Sequence, residues 1–259
     1  MKHLPPALFL DLDDTIIDYD ATENPLWELV CKEVGPQIGV DGHILHHAVM
    51  GARNWVWHDN PDWARGHKME TDERIAQLAL RQLGRTAAHE VACLANAYRF
   101  RRDNAVGPLP GALDALVQFR AAGSRLVMIT NGSSQGQRAK IRRFELAHYF
   151  DHILIEGEFG FGKPDFRIFR KALELTGAKP SDAWMVGDHL YRDVVGAQAC
   201  GIKGIWLDAD GVGLPSDLLV KPDRIIRSLF ELLQPEPSSG VADASPASLA
   251  PRPLKGDAA

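Results

Sequence analysis

The chain has 259 residues, with 45% hydrophobic and 24% charged side chains and a net charge of -5. That length holds one large or two modest domains of ordinary globular composition. The negative charge and the lack of a long Lys/Arg run argue against a nucleic-acid polymer as partner. No segment approaches the roughly 20 apolar residues of a membrane span. Cys31, Cys93 and Cys200 are too few and too scattered for a disulfide framework or a CxxC site. The only apolar run near the N-terminus is broken by Asp11 and Asp13, so no signal peptide is expected and the cytoplasm is the expected location.

The first predicted element is a buried strand over about residues 7–12, and it ends in Asp11, Asp13 and Asp14. Carboxylates this close repel one another, and desolvation adds to the cost. A hard divalent cation such as Mg²⁺ would offset that charge. An acidic turn or helix cap would also account for the residues. From Leu26 to about Arg102 the pattern is helical with no convincing strand; Ile75, Leu78, Ala79 and Gln82 share a helical face. This block holds four of the six tryptophans and ends at the breaker Gly107-Pro108-Leu109-Pro110-Gly111, a plausible hinge.

Strands and helices then alternate. Helix 112–121 precedes strand 125–129, which runs into Thr130-Asn131-Gly132; helix 137–144, strand 152–156 and helix 165–176 follow. Strand 183–186 leads into Gly187-Asp188, followed by helix 194–199, strand 202–207 and a last helix over 225–233. Such alternation predicts an α/β fold, a doubly wound parallel sheet with an inserted all-helical domain. Ligands of such sheets bind outside the carboxyl ends of the strands. The expected division is a core of 1–17 and 108–233, a helical insert of 18–107 placed as a lid, and a disordered Pro/Ser/Ala-rich tail of 234–259.

The polar residues cluster at the predicted strand ends. Thr130 and Asn131 offer a hydroxyl and backbone N–H groups before a helix, an anion-binding arrangement. Lys163, between Gly162 and Pro164, can pair with a phosphate as a point charge. Asp188 would face the same site as Asp11, with Asp193 behind it supporting the lysine or the metal. Each stretch alone has an ordinary structural explanation; their occurrence together and in this order points to a phosphate site.

The four stretches Asp11-x-Asp13-x-Thr15, Thr130-Asn131-Gly132, Lys163-Pro164-Asp165 and Gly187-Asp188 with Asp193 resemble the motifs of the haloacid dehalogenase superfamily of hydrolases. Gln137-x-x-Lys140-Ile141 looks like the branch holding N-acylneuraminate phosphatases and pyrimidine nucleotidases. The resemblance implies a Rossmann-like core with a helical cap, Mg²⁺ as cofactor, and hydrolysis of a small phosphorylated metabolite such as a sugar phosphate or nucleotide by a monomer or homodimer. It implies that Asp11 is the nucleophile and a metal ligand. Asp13 is implied as general acid/base, with its backbone carbonyl on the metal. Thr130, Asn131 and Lys163 hold the phosphoryl group, Asp188 binds the metal, Asp193 binds through water or supports Lys163, and Thr15 orders the loop. Asp14 takes no chemical role, its backbone N–H being left to face the phosphate.

Crowding by neighbouring acids is expected to keep Asp13 protonated for its acid role. A departing halide needs no proton, and the family's dehalogenases lack an acid at the position of Asp13, so its presence argues against dehalogenation. A phosphomutase and a non-catalytic binding protein on the same fold are the remaining alternatives. Specificity is expected in the insert, with Arg53, Trp55, Trp57, His58, Trp63 and Lys68 as candidates, and at His189. Packing of the insert's own core is the competing reading for the tryptophans.

Overall fold

The computed structural model describes residues 4–19, 23–56, 71–214 and 221–234. Trp57, His58, Trp63, Lys68 and all of the tail beyond Gln234 lie outside the described residues.

Strand β1 (Ala7–Leu10) is fully buried, as a central strand covered on both faces must be. Its side chains alternate between two cores: Leu8 and Leu10 enter one, Ala7 and Phe9 the other. β4 (Arg125–Thr130) repeats this, with Leu126 and Met128 on the first side and Val127 and Ile129 on the second. Helix α5 (Ala112–Ala121) covers the first face through Leu116 and Phe119. On the second face lies α7 (Phe166–Thr176), which packs through Ile168, Phe169 and Ala172; α6 (Ser134–Arg143) follows β4. With β5 (His152–Ile155), β6 (Ala183–Gly187), β7 (Lys203–Leu207) and β8 (Arg224–Ile226), the sheet has the order β5-β4-β1-β6-β7-β8, parallel at every pairing.

The last strand departs from the sequence expectation of a helix over 225–233. Residues 224–226 instead extend the sheet, and only Leu229–Leu233 coil, as a 3-10 helix. Without β8 the backbone groups of β7 would form an open edge. Pairing with β8 closes it, and Asp208 N–H donates to the Ile226 carbonyl at 2.8 Å. The expected helix over 194–199 is also different. It begins earlier, as a π-helical turn Leu190–Val195 that continues into Gly196–Gln198.

The helical insert leaves and rejoins the sheet domain through a two-stranded antiparallel ribbon, β2 (Ile17–Asp18) with β3 (Gly107–Pro108). The sequence there predicts a breaker and a hinge, with no strand. Pro108 has no N–H to donate, and a ribbon two residues deep tolerates it as an edge strand. Between these strands lie α1 (Glu23–Gln37), α2 (Gly42–Asn54), α3 (Thr71–Gln82) and α4 (Ala88–Ala105). They share a separate apolar core around the fully buried Trp27, which stacks on Tyr98 at 3.8 Å. Among the described residues no helix is long and apolar enough to cross a membrane.

Candidate active site

The site forms where parallel strands end. β1 delivers Asp11, whose N–H still donates to the Val186 carbonyl at 3.0 Å, so the carboxylate is fixed by the sheet itself. β4 ends on Thr130, and β6 ends on Gly187, immediately before Asp188. Lys163 comes from the loop before α7. Its Nζ lies 2.6 Å from Asp11 Oδ1 and 2.6 Å from Asp193 Oδ1, and it is only 2% exposed. Burial works against its charge, but Asp11 and Asp193 outweigh that and raise the pKa of the ammonium. A buried ion pair of this kind is a weak source of net stability; its value lies in fixing a cation beside Asp11.

Two residues hold the lysine in place. Asn131 Nδ2 donates to the Lys163 carbonyl at 2.7 Å, and Asn131 Oδ1 accepts from Lys163 N–H at 2.8 Å. The loop can approach so closely because Gly162 has no side chain; a Cβ there would lie 2.5 Å from Asn131 Oδ1. Asp193, fully buried, braces the lysine from the π-helical turn, and its Oδ2 accepts from His189 N–H at 3.0 Å. A Cβ on Gly187 would sit 2.2 Å from that Oδ2, so glycine is required for Asp193 to reach the site. The Asp188 carbonyl is fixed by the Trp206 indole N–H at 2.6 Å.

The donor set fits a divalent cation. One carboxylate oxygen each from Asp11, Asp188 and Asp193 lie within 4.8 Å of one another. Burial, and then Asp11, Asp193 and Asp14, push the Asp188 carboxyl up to about 9. Burial likewise pushes Asp11 up to about 7, with Asp193 and Asp13 adding to it and Lys163 opposing. Ionised together, the three acids carry more negative charge than one lysine offsets, and hard oxygen ligands are what Mg²⁺ prefers.

Several expected placements differ. The Asp13 carboxylate has a cation as its nearest partner rather than a crowd of acids: Lys140 Nζ lies 2.7 Å from its Oδ1. Neither Lys140 nor Gln137, which donates to Asp13 Oδ2 at 2.9 Å, was assigned a site role from sequence. Their signal was present in the Gln-x-x-Lys spacing, which sets both on one face of α6. The Asp14 N–H does not face a phosphate; it donates to the Ile17 carbonyl at 2.7 Å, with Asp14 itself in the left-handed region at φ 55°. Thr15 is fully buried, and its hydroxyl has no hydrogen-bond partner among the described residues.

Of the specificity candidates, Arg53 pairs with the buried Glu23 at 2.7 Å, and Trp55 packs against the insert's apolar core beneath the Arg74 guanidinium. His189 is exposed, and its Nδ1 accepts from Arg192 N–H at 3.2 Å, so its side chain caps the turn that carries Asp193.

A family model for haloacid dehalogenase-like hydrolases matches residues 5–201. A phosphoserine phosphatase of Thermus thermophilus is 32% identical over 88% of this chain and 98% of its own. A glyceraldehyde 3-phosphate phosphatase of Pyrococcus furiosus is 30% identical, covering 88% and 91%. The rat N-acylneuraminate-9-phosphatase is 38% identical over 42% of this chain and 44% of its own. Among solved structures, the magnesium-bound HAD-hydrolase YfnB of Bacillus subtilis superposes with a TM-score of 0.66 at 23% identity, covering 89% and 97%. This chain belongs to the haloacid dehalogenase-like hydrolase family, and it is a hydrolase on the same Rossmann-like fold.

Proposed function

We propose that the protein is a cytoplasmic, Mg²⁺-dependent phosphomonoesterase that works through an aspartyl-phosphate on Asp11. The observation that carries this reading is the position of Asp11, against the Lys163 ammonium at 2.6 Å and within reach of Asp188 and Asp193. An anionic nucleophile can approach a phosphate dianion only where both charges are countered. Mg²⁺, held by Asp11, Asp188 and the Asp13 carbonyl with Asp193 behind them, would supply the remaining positive charge and polarise the phosphoryl oxygens.

The side chains carry the rest. Lys163, Thr130 and the Asn131 N–H hold the phosphoryl oxygens. Asp11 attacks phosphorus in line, and the P–O bond to the substrate breaks. Asp13 gives its proton to the leaving alkoxide. It then takes a proton from water, whose oxygen attacks phosphorus and frees Asp11 and inorganic phosphate.

The insert over 18–107 serves as a cap that excludes water and shapes the pocket. The Thermus and Pyrococcus relatives, matched over nearly their whole length, are named for three-carbon phosphate monoesters, which favours a substrate of that size over a nucleotide. Three free cysteines fit a reducing, cytoplasmic setting.

A panel of phosphometabolites assayed for phosphate release with and without Mg²⁺ tests the reading, with Asp11→Asn as control. Full turnover by Asp11→Asn, or no release from any phosphomonoester, would overturn it.

A further inference from the structure

Helix α6 reaches the loop after β1 with two side chains. Lys140 Nζ donates to both oxygens of Asp13, at 2.7 and 2.8 Å. Gln137 Nε2 donates to Asp13 Oδ2 and also to Thr130 Oγ1 and the Asn131 carbonyl, so one amide joins the proton carrier to the phosphate-binding strand end. The Lys140 ammonium lies 3.7 Å from the centroid of the Tyr19 ring. Tyr19 follows β2, where the insert begins. The Arg102 guanidinium, from the last turn of α4 where the insert ends, lies 5.9 Å from the same ring.

Fixing a lysine costs rotamer entropy. A two-pronged ion pair and a seat on an aromatic face offset that cost and leave the ammonium one position. An ammonium across both oxygens fixes where the Asp13 carboxylate points.

We infer that Lys140, seated on Tyr19 and assisted by Gln137, is a positioning residue that orients the Asp13 carboxylate for its proton transfers, the one with water included. The inference rests on the phosphatase reading above and goes beyond it by giving these side chains a role in holding the proton carrier. The contact with Tyr19 ties that role to the linker of the insert.

The test uses the full-length protein with Mg²⁺ and an activated aryl phosphate, whose phenolate leaves without a proton. This bypasses the acid half of the cycle, so kcat reports cleavage of the aspartyl-phosphate and kcat/KM reports its formation. Lys140→Met is expected to lower kcat about 10- to 100-fold, with KM falling in parallel and kcat/KM little changed. A burst of phenol, one per site, should precede the steady state. Lys140→Arg should restore most of kcat, and Tyr19→Leu should fall between.

Thermal unfolding identifies a variant that fails to fold; Tyr19→Leu and Lys140→Arg then carry the test. A wild-type kcat in Lys140→Met, or kcat/KM falling as far as kcat with no burst, overturns the inference while an active wild type and a dead Asp11→Asn leave the phosphatase reading standing. A wild-type protein inert towards every phosphomonoester overturns both.

Discussion

The Asn131 side chain exchanges two hydrogen bonds with the backbone of Lys163, at 2.7 and 2.8 Å. The end of β4 and the lysine loop are thereby one rigid unit. Asn131→Ala leaves both Lys163 backbone groups without these partners, at a cost of about 1–3 kcal/mol. It is expected to raise KM for a phosphate ester more than it lowers kcat, which steady-state kinetics and a thermal melt would check. Unchanged KM and Tm would contradict the bridging role.

Asp11 is the proposed nucleophile. Asp11→Asn should reduce phosphate release by about 10³-fold or more, as loss of a covalent nucleophile does elsewhere. The same change removes one of several crowded carboxylates, so the Tm should hold or rise. A large fall in Tm would mean that the ion pair with Lys163 stabilises the fold more than the crowding destabilises it.

Protons and a divalent cation compete for the acid cluster. Burial and neighbouring charge hold Asp188 at about 9 and Asp11 at about 7, both above their ordinary values. Protonation is therefore more complete in the folded than in the unfolded chain across that window, and the acids surrender protons when a cation binds. The rise in Tm on adding Mg²⁺ should be larger at pH 8 than at pH 5. Scanning calorimetry at the two pH values decides this, and an equal or reversed shift would remove the cluster as the metal site.

Gly187 is fixed by what lies beside it. A Cβ there would meet Asp193 Oδ2 at 2.2 Å, an atom of a fully buried carboxylate that cannot swing away into solvent. Gly187→Ala should destabilise by about 1–3 kcal/mol, as overpacking does. It should also lower activity by moving Asp193 off Lys163. A variant with normal turnover would show that Lys163 needs no brace.

Cys31 lies fully buried in the insert's core, where burial pushes its thiol up to about 12. Only the thiolate reacts, so at neutral pH it should resist alkylation in the native protein and react after unfolding. Mass spectrometry after iodoacetamide treatment separates the two cases. Rapid native labelling would show that the insert opens readily.

The sequence by itself determined the alternating sheet and the candidate residues at its strand ends, because both are written locally. A strand covered on both faces must be a run such as Leu8-Phe9-Leu10, and acids that end such a run have few uses. Asp11 and Asp188 were legible for that reason, and Thr130, Lys163 and Asp193 by their order and spacing relative to such strand ends. Tertiary structure decided what no local pattern encodes. The short segment 224–226 is a strand because β7 had an edge to close, which overrode a helix-like apolar spacing. Asp14 spends its N–H on Ile17, which depends on a left-handed turn the sequence did not announce. Above all, Asp13 and Lys140 are 127 positions apart, and only the packing of α6 against the β1 loop makes the lysine the partner of the acid. The sequence named the carboxylate, and the fold supplied the cation and the aromatic ring that set its position.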